Sequence, residues 1–168
     1  VPDIIFKGKA IKLSDNISTD DIIPGRFAHL RSNLPELAKH VLEDAIPTFA
    51  SRVKQGDFLV AGKNFGLGSS REHAPVVIKM SGISAILAKS VARIFFRNAI
   101  NQGIPVLLCD TNKIGDGDEL EINLIDGVII NATSGAKLSC SKIPPLMFAI
   151  LGEGGLIPYI QKHRDFNL

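Results

Sequence analysis

Hydrophobic and polar positions follow two different regimes along this chain. In its middle, short runs are almost wholly apolar: Phe58-Leu59-Val60-Ala61, residues 83–88 with Ser84 the one polar position, and residues 104–108. Runs of that length predict strands buried on both faces. Between them, residues 90–102 predict a helix with Gly103 as its C-terminal stop. A shorter helix is predicted over residues 76–80, closed by Ser81-Gly82. Strand, helix, strand, helix, strand in this rhythm predicts parallel strands joined by crossover helices. From Gly115 the regime changes. Residues 119–125 and 127–131 alternate around Asp126-Gly127, which predicts an antiparallel hairpin. Residues 137–140 add a candidate strand, and residues 144–150 and 156–163 predict two short helices separated by Gly152-Glu153-Gly154-Gly155.

The first third of the chain is less regular. Residues 4–13 read as one or two strands with a turn at Lys7-Gly8-Lys9. Residues 14–21 form a polar loop rich in turn formers, and Pro24-Gly25 marks a tight turn. Residues 27–33 show no clear period and read as a mobile loop. Asn33 can cap a helix starting near Leu34-Pro35, whose apolar face comprises Leu34, Leu37, Ala38, Val41, Leu42 and Ala45. Pro47 closes it, and a short helix over 48–54 and a turn at Gln55-Gly56-Asp57 lead into the strand at 58. The expected fold is α/β: a mainly parallel core sheet, flanking helices and a C-terminal β-hairpin, in one domain spanning residues 1–168.

Composition narrows the function. The 168 residues are 45% hydrophobic and 21% charged, with a formal net charge of +2. There is no basic run, one Tyr and no Trp, which argues against nucleic acid as a partner. No apolar run approaches the roughly 20 residues of a membrane span. Val1-Pro2-Asp3 lacks the basic and apolar regions of a signal peptide, so the expected location is the cytoplasm. Cys109 and Cys140 form no C-x-x-C and have no spaced His, so two thiols alone complete neither a zinc nor an iron–sulfur site. Two reduced thiols and no metal ligands in this chain are expected.

The densest chemistry lies in Lys63-Asn64-Phe65-Gly66-Leu67-Gly68-Ser69-Ser70-Arg71-Glu72-His73-Ala74-Pro75, where a buried strand hands over to a helix. Gly66-x-Gly68-x-x-Arg71 fails the dinucleotide fingerprint at its third glycine. No glycine precedes Lys-Ser/Thr, so there is no phosphate-binding P-loop. The nucleophile elbow G-x-S-x-G is absent as well. Three readings remain open. Ser69 and Glu72 have capping-box spacing; Pro75 weighs against it, because a helix capped at Ser69 would lose a hydrogen bond there, and a helix starting at Pro75 fits better. Alternatively, the glycine turn near a helix N-terminus, with Arg71 as a bidentate donor, forms a carboxylate site. The same field would ease deprotonation of a serine, each pKa unit requiring about 1.4 kcal/mol. Finally, Ser69 and His73 could pair as a nucleophile and base, although a triad needs a third group and an oxyanion hole.

At these residues the chain resembles a known family. Gly68-Ser69-Ser70-Arg71-Glu72-His73-Ala74 is similar to the signature of the aconitase superfamily's swivelling domain. Residues 16–26, Asn-Ile-Ser-Thr-Asp-Asp-Ile-Ile-Pro-Gly-Arg, resemble that domain's opening loop, and residues 88–103 resemble its later helix. Three long motifs in order, covering nearly all of the chain, point to the separate small subunits of the isopropylmalate dehydratase type. The resemblance implies a swivelling β/β/α domain and a two-chain hydro-lyase. Its [4Fe–4S] cluster would be carried by the partner large subunit, acting as a Lewis acid on the leaving hydroxyl.

By the same resemblance, Ser69 is the base that takes a proton from carbon and Ser70 hydrogen-bonds nearby. Arg71 holds a substrate carboxylate, and Asp20 matches an active-site aspartate. The substrate would be a small di- or tricarboxylate, most simply an isopropylmalate. Residues after Arg26 help select its side group in this family. Isopropylmalate enzymes typically carry a Tyr-Leu pair there and homoaconitases an added arginine. Here the chain reads Phe27-Ala28-His29-Leu30-Arg31, which departs from both. Arg31 is either the partner of a third carboxylate or a solvated loop charge. A homoaconitate or dimethylmalate substrate, a non-catalytic anion-binding module and a Ser69/His73 hydrolase are the alternatives.

Overall fold

The computed structural model describes residues 5–69 and 71–163. Along the chain run β1 (Ile5–Lys12), α1 (Thr19–Ile22), a 3-10 helix (Gly25–Ser32), α2 (Leu34–Ala38) and α3 (Phe49–Arg52). Next come β2 (Phe58–Val60), α4 (His73–Met80), β3 (Ala85–Ala88), α5 (Arg93–Asn101) and β4 (Val106–Leu108). The remainder is a second 3-10 helix (Thr111–Lys113), β5 (Glu119–Asn123), β6 (Val128–Asn131), β7 (Lys137–Ser139), α6 (Pro145–Gly152) and α7 (Leu156–His163). The strands form one sheet in the order β4-β3-β2-β1-β5-β6-β7.

Strand β1 is the seam. Its second half pairs parallel with β2, Ala10 opposite Phe58 and Lys12 opposite Val60. Its first half pairs antiparallel with β5, from Ile5 opposite Asn123 to Lys9 opposite Glu119. Pairing is parallel across β1 to β4 and antiparallel across β5 to β7, so the expected mainly parallel core and trailing hairpin are both present, with β7 extending the hairpin. Side chains alternate between two cores, as a period of two demands. Ile11, Leu59, Ile86 and Val106 enter one cluster with Val77, Ile78, Phe95 and Ala99 of the helices. Ala10, Phe58, Val60, Leu87 and Leu107 enter the other with Leu120, Ile122, Ile129 and Leu138. The antiparallel half therefore packs its apolar face over the parallel half, while helices cover the opposite face. That makes three layers, β/β/α. Helices α6 and α7 lie against α5 through Ile150, Tyr159 and Ile100.

Four local expectations need correcting. The turn expected at Lys7-Gly8-Lys9 is absent, and Gly8 lies inside β1. A glycine is needed there because a Cβ would overlap the carbonyl oxygen of Gly56 on the crossing chain. The loop over 27–33 is mostly a 3-10 helix, in which Phe27 and Leu30, three apart, both pack on the core. Three residues per turn put i and i+3 on one face. The helix expected to run to Ala45 ends at Ala38 and continues as turns. Val41 and Leu42 are still buried, but Leu42 reaches the core with φ +56° and donates its N–H to the carbonyl of Ile22 at 2.9 Å. Helix α4 begins at His73, two residues before Pro75, which sits in the first turn, where a missing N–H costs nothing.

Candidate active site

The connections leaving the carboxyl ends of β1, β2 and β3 are stitched together backbone to backbone. Asn16 and Gly66 donate to the carbonyls of Lys63 and Ile17, both at 2.7 Å, and Thr19 donates to Leu67 at 2.8 Å. The third connection joins through Phe65 N–H to Ser90 at 3.1 Å and Ala92 N–H to Phe65 at 2.9 Å. Asn64 adds a side-chain bond to Asn16 at 2.8 Å. Both asparagines take left-handed backbone, φ 57° and 59°, which their short amides tolerate. Open parallel sheets bind ligands at this end.

Two glycines shape the turn. Gly66 has φ +78°, and a Cβ there would overlap the Phe95 ring. Gly68 has φ +107°, and a Cβ would lie 3.2 Å from Thr19 Oγ1. These approaches bring Ser69 Oγ to 3.3 Å from Thr19 Oγ1, where either hydroxyl can donate. Thr19 is held by a capping box one residue earlier. Ser18 Oγ accepts from the Asp21 N–H at 3.1 Å, and the Asp21 carboxylate accepts from the Ser18 N–H at 2.8 Å. The S-x-x-E spacing at Ser69 and Glu72 forms no such box, since α4 has no side-chain cap bond.

The next residue in α1, Asp20, forms an ion pair with Arg71, its Oδ1 2.7 Å from Nη2. Arg71 Nη1 donates to the carbonyl of Ile23 at 3.0 Å. A guanidinium carries more N–H donors than these two bonds use. Held in this way, it presents a preorganised fork suited to a carboxylate. Ser69 and Arg71 line a cavity of about 220 Å³, to which Ala92 and the first turns of α5 add Arg93, Ile94, Phe95 and Asn98. A larger hollow of about 320 Å³ lies over β1 and β5 among Lys7, Lys9, Glu119 and Glu121. It has neither a nucleophile nor a glycine turn, so the chemistry points to the smaller one.

Of the residues singled out from sequence, Ser69, Arg71 and Asp20 are brought together, while Ser70 lies outside the described residues. His73 starts α4 and makes no hydrogen bond with Ser69, so the hydrolase pair is not assembled. Arg26 is engaged elsewhere: it reaches Asp44 at 2.6 and 2.9 Å and Glu43 at 3.2 Å, and its guanidinium lies 4.6 Å from the Phe27 ring centroid. Its hydrogen bond holds the Asp44 carboxyl below the usual carboxylate range. Phe27 stacks on His40 at 4.0 Å. Leu30 packs on the core, Ala28 accepts from Arg31 Nε at 3.0 Å, and His29 and Arg31 are exposed. None of residues 26–31 lines the cavity.

Sequence reasoning did not single out Thr19, which is 2% exposed, or the start of α5. For Thr19 the available signal was the S-x-x-D spacing of Ser18 and Asp21. For α5 the signals were its position after the third parallel strand and the family resemblance of residues 88–103.

Among the described residues, no group of three His, Cys, Asp or Glu could hold a metal ion. Cys109 and Cys140 are free thiols packed against the core between the two β layers. Burial pushes Cys109 up to about 12 and raises Cys140 as well, which keeps both protonated and poor as ligands. These residues therefore do not fit an iron–sulfur cluster. No helix among them is long and apolar enough to cross a membrane.

The Aconitase C-terminal domain family matches residues 5–110. The 3-isopropylmalate dehydratase small subunit 2 of Archaeoglobus fulgidus is 58% identical over 161 residues, covering 96% of this chain and 98% of that one. The isopropylmalate/citramalate isomerase small subunit of Methanocaldococcus jannaschii is 49% identical over 160 residues, covering 94% and 95%. A crystal structure of 3-isopropylmalate dehydratase from Methanocaldococcus jannaschii superposes with a TM-score of 0.91 at 44% identity, covering 95% of each chain. Site, fold and sequence agree: the chain belongs to the aconitase C-terminal domain family, among its 3-isopropylmalate dehydratase small subunits.

Proposed function

We propose that this chain is the small subunit of a hydro-lyase that interconverts 2- and 3-isopropylmalate by dehydration and rehydration. One observation supports this above the others. A serine hydroxyl and a braced arginine share one small cavity, in a chain 58% identical to a 3-isopropylmalate dehydratase small subunit. In this reading, residues 1–168 form one swivelling domain that works in the cytoplasm against a large subunit. That subunit carries a [4Fe–4S] cluster, which supplies Lewis-acid activation of the leaving hydroxyl.

The contributions of this chain are a base and a clamp. Ser69 Oγ removes the proton from the substrate carbon and returns it in the reverse direction. Thr19 Oγ1 donates to Ser69 as charge develops on the oxygen, and its burial strengthens that bond. Arg71 binds a substrate carboxylate, and Asp20 fixes the plane of its guanidinium. Ser70 adds a hydrogen bond to the substrate. Arg26, Phe27, Ala28, His29, Leu30 and Arg31 close over the end of the substrate remote from Ser69. The Methanocaldococcus jannaschii relative is named for both isopropylmalate and citramalate, which favours a methyl side group as the second substrate.

Anaerobic reconstitution with the large subunit tests this reading. The isolated chain is expected to be inert, and the reconstituted complex to hydrate and dehydrate isopropylmalate. Turnover by the isolated chain would overturn it, and so would a loaded complex inert towards both acids.

A further inference from the structure

Two arginines from separate elements line the cavity, Arg71 after the glycine turn and Arg93 at the start of α5, and no Asp or Glu joins them in the lining. Their circumstances differ. Arg71 is braced by Asp20 at 2.7 Å and by the carbonyl of Ile23 at 3.0 Å. Arg93 makes no hydrogen bond or ion pair through its side chain among the described residues, and the side chain of Asn98, which lines the same cavity, makes none either. Helix stability does not account for this arginine. Arg93 is the first residue of α5, where the helix dipole disfavours a cation, and the first turn holds no acidic residue to offset it. Core packing does not account for it either, since Arg93 is exposed while Phe95 fills the core two residues on. The cavity therefore carries one cation already matched by Asp20 and a second with its donors unused.

We propose that Arg93, assisted by Asn98, is a second carboxylate clamp, and that the site takes a dicarboxylate dianion with one carboxylate on Arg71 and the other on Arg93. This rests on the proposed function and deepens it by assigning a partner to each end of the diacid. Both carboxyl groups of a malate-type acid are ionised at neutral pH, because such groups titrate near pH ~4. A guanidinium fork matches a carboxylate with two parallel N–H donors, and a half-buried amide adds a further donor beside it. With the dianion bound, the charge of Arg93 is met by the ligand, as that of Arg71 is met in part by Asp20. The cavity is smaller than the roughly 300–1,000 Å³ of sites for drug-sized ligands, which suits a small acid.

The test measures KM and kcat for isopropylmalate in the reconstituted two-chain complex, with the large subunit raised to saturation. Arg93→Gln is expected to raise KM about 10- to 100-fold, the worth of a hydrogen-bonded charge pair, with kcat within about threefold of the native value. Arg93→Lys should recover part of that loss, since it keeps the charge without the fork. Arg97→Gln is the control: Arg97 lies one turn further along α5 and is also exposed, but it does not line the cavity. It should leave KM within about twofold, as expected for a screened surface charge. All three variants should fold, because neither arginine supports the core, and an unchanged Tm checks this. An unchanged KM in Arg93→Gln would overturn the proposal. So would equal effects at Arg93 and Arg97, which would mean a general field rather than a clamp. A loss that disappears as the large subunit is raised to saturation would overturn it too, making Arg93 a docking residue. A native complex inert towards isopropylmalate would instead sink the proposed function, and this proposal with it.

Discussion

The two halves of the sheet are built by different rules. In the antiparallel half, β5 to β7, structure follows from side chains taken one at a time. Leu120, Ile122, Ile129 and Leu138 point inward, while Glu119, Glu121 and Lys137 face away from that core. Its buried polar group is satisfied locally: Asn131 donates to Asp118 at 2.7 Å and accepts from Thr133 and Ser134 at 3.1 and 3.2 Å. In the parallel half, the strands are plain apolar runs, and the distinctive structure lies in what leaves their carboxyl ends. There the backbones of three connections hold one another, and close approaches rather than alternation fix the shape. One half supports the fold, and the other uses that support to place Ser69 and Arg71. The family match agrees, since it covers residues 5–110 and ends before β5.

This division predicts that substitutions separate by half. Arg71→Ala should cost about 10²- to 10³-fold in kcat/KM of the reconstituted complex with little change in Tm, and Arg71→Lys should recover only part of it, since a point charge cannot reproduce the fork. Equal loss of stability and activity would place Arg71 among structural groups instead. Ile122→Ala, in the antiparallel core, should do the reverse. Urea unfolding should show a loss of about 3 kcal/mol, with activity per folded molecule unchanged.

Glycines sharpen the contrast. Gly66 and Gly117 both have positive φ, +78° and +82°, but a Cβ at Gly66 meets the Phe95 ring, whereas at Gly117 it meets open space. Gly66→Ala should therefore destabilise by about 3 kcal/mol and deform the cavity, against about 1 kcal/mol for Gly117→Ala. Matching losses would mean that backbone conformation alone sets the cost.

The smallest effect concerns the layer between the halves. Burial raises the Cys109 thiol to about 12, so the folded chain holds a proton there that the unfolded chain, near 8.5, releases. Above pH ~9 the unfolded state binds fewer protons, so stability falls as pH rises towards about 12. Cys109→Ala should make that fall shallower in unfolding titrations between pH 8 and about 10.5; an unchanged slope would mean that other groups cause it.

How much was legible in the sequence follows the same division. Alternation over 119–131 and the apolar runs at 58, 83 and 104 declare the strands, because period and burial are local signals. Residues 39–45 misled because Val41 and Leu42 are spaced as on a helix face, yet Leu42 reaches the core by a left-handed turn that depends on the carbonyl of Ile22. Gly8 looked like a turn because nothing local announces that Gly56 crosses above it. At the site, the motif containing Ser69 and Arg71 was conspicuous, but its partners were not. Thr19 and Ile94 lie in α1 and α5, 50 and 25 residues from Ser69 in sequence, and only the stitched backbones bring them to the same cavity. The capping-box pattern drew attention to Ser69 and Glu72, while the box that forms is Ser18 and Asp21, which places Thr19 beside Ser69.

The central claim is that Ser69 supplies the base from this half of a shared site. Ser69→Ala in the reconstituted complex tests it most directly, with kcat, KM and Tm measured together on isopropylmalate. We expect kcat to fall by about 10³-fold, within the range for loss of a general base. KM should stay within about threefold, since Arg71 still binds the carboxylate, and Tm should be unchanged, since no helix cap is lost. Full activity in Ser69→Ala would contradict the account.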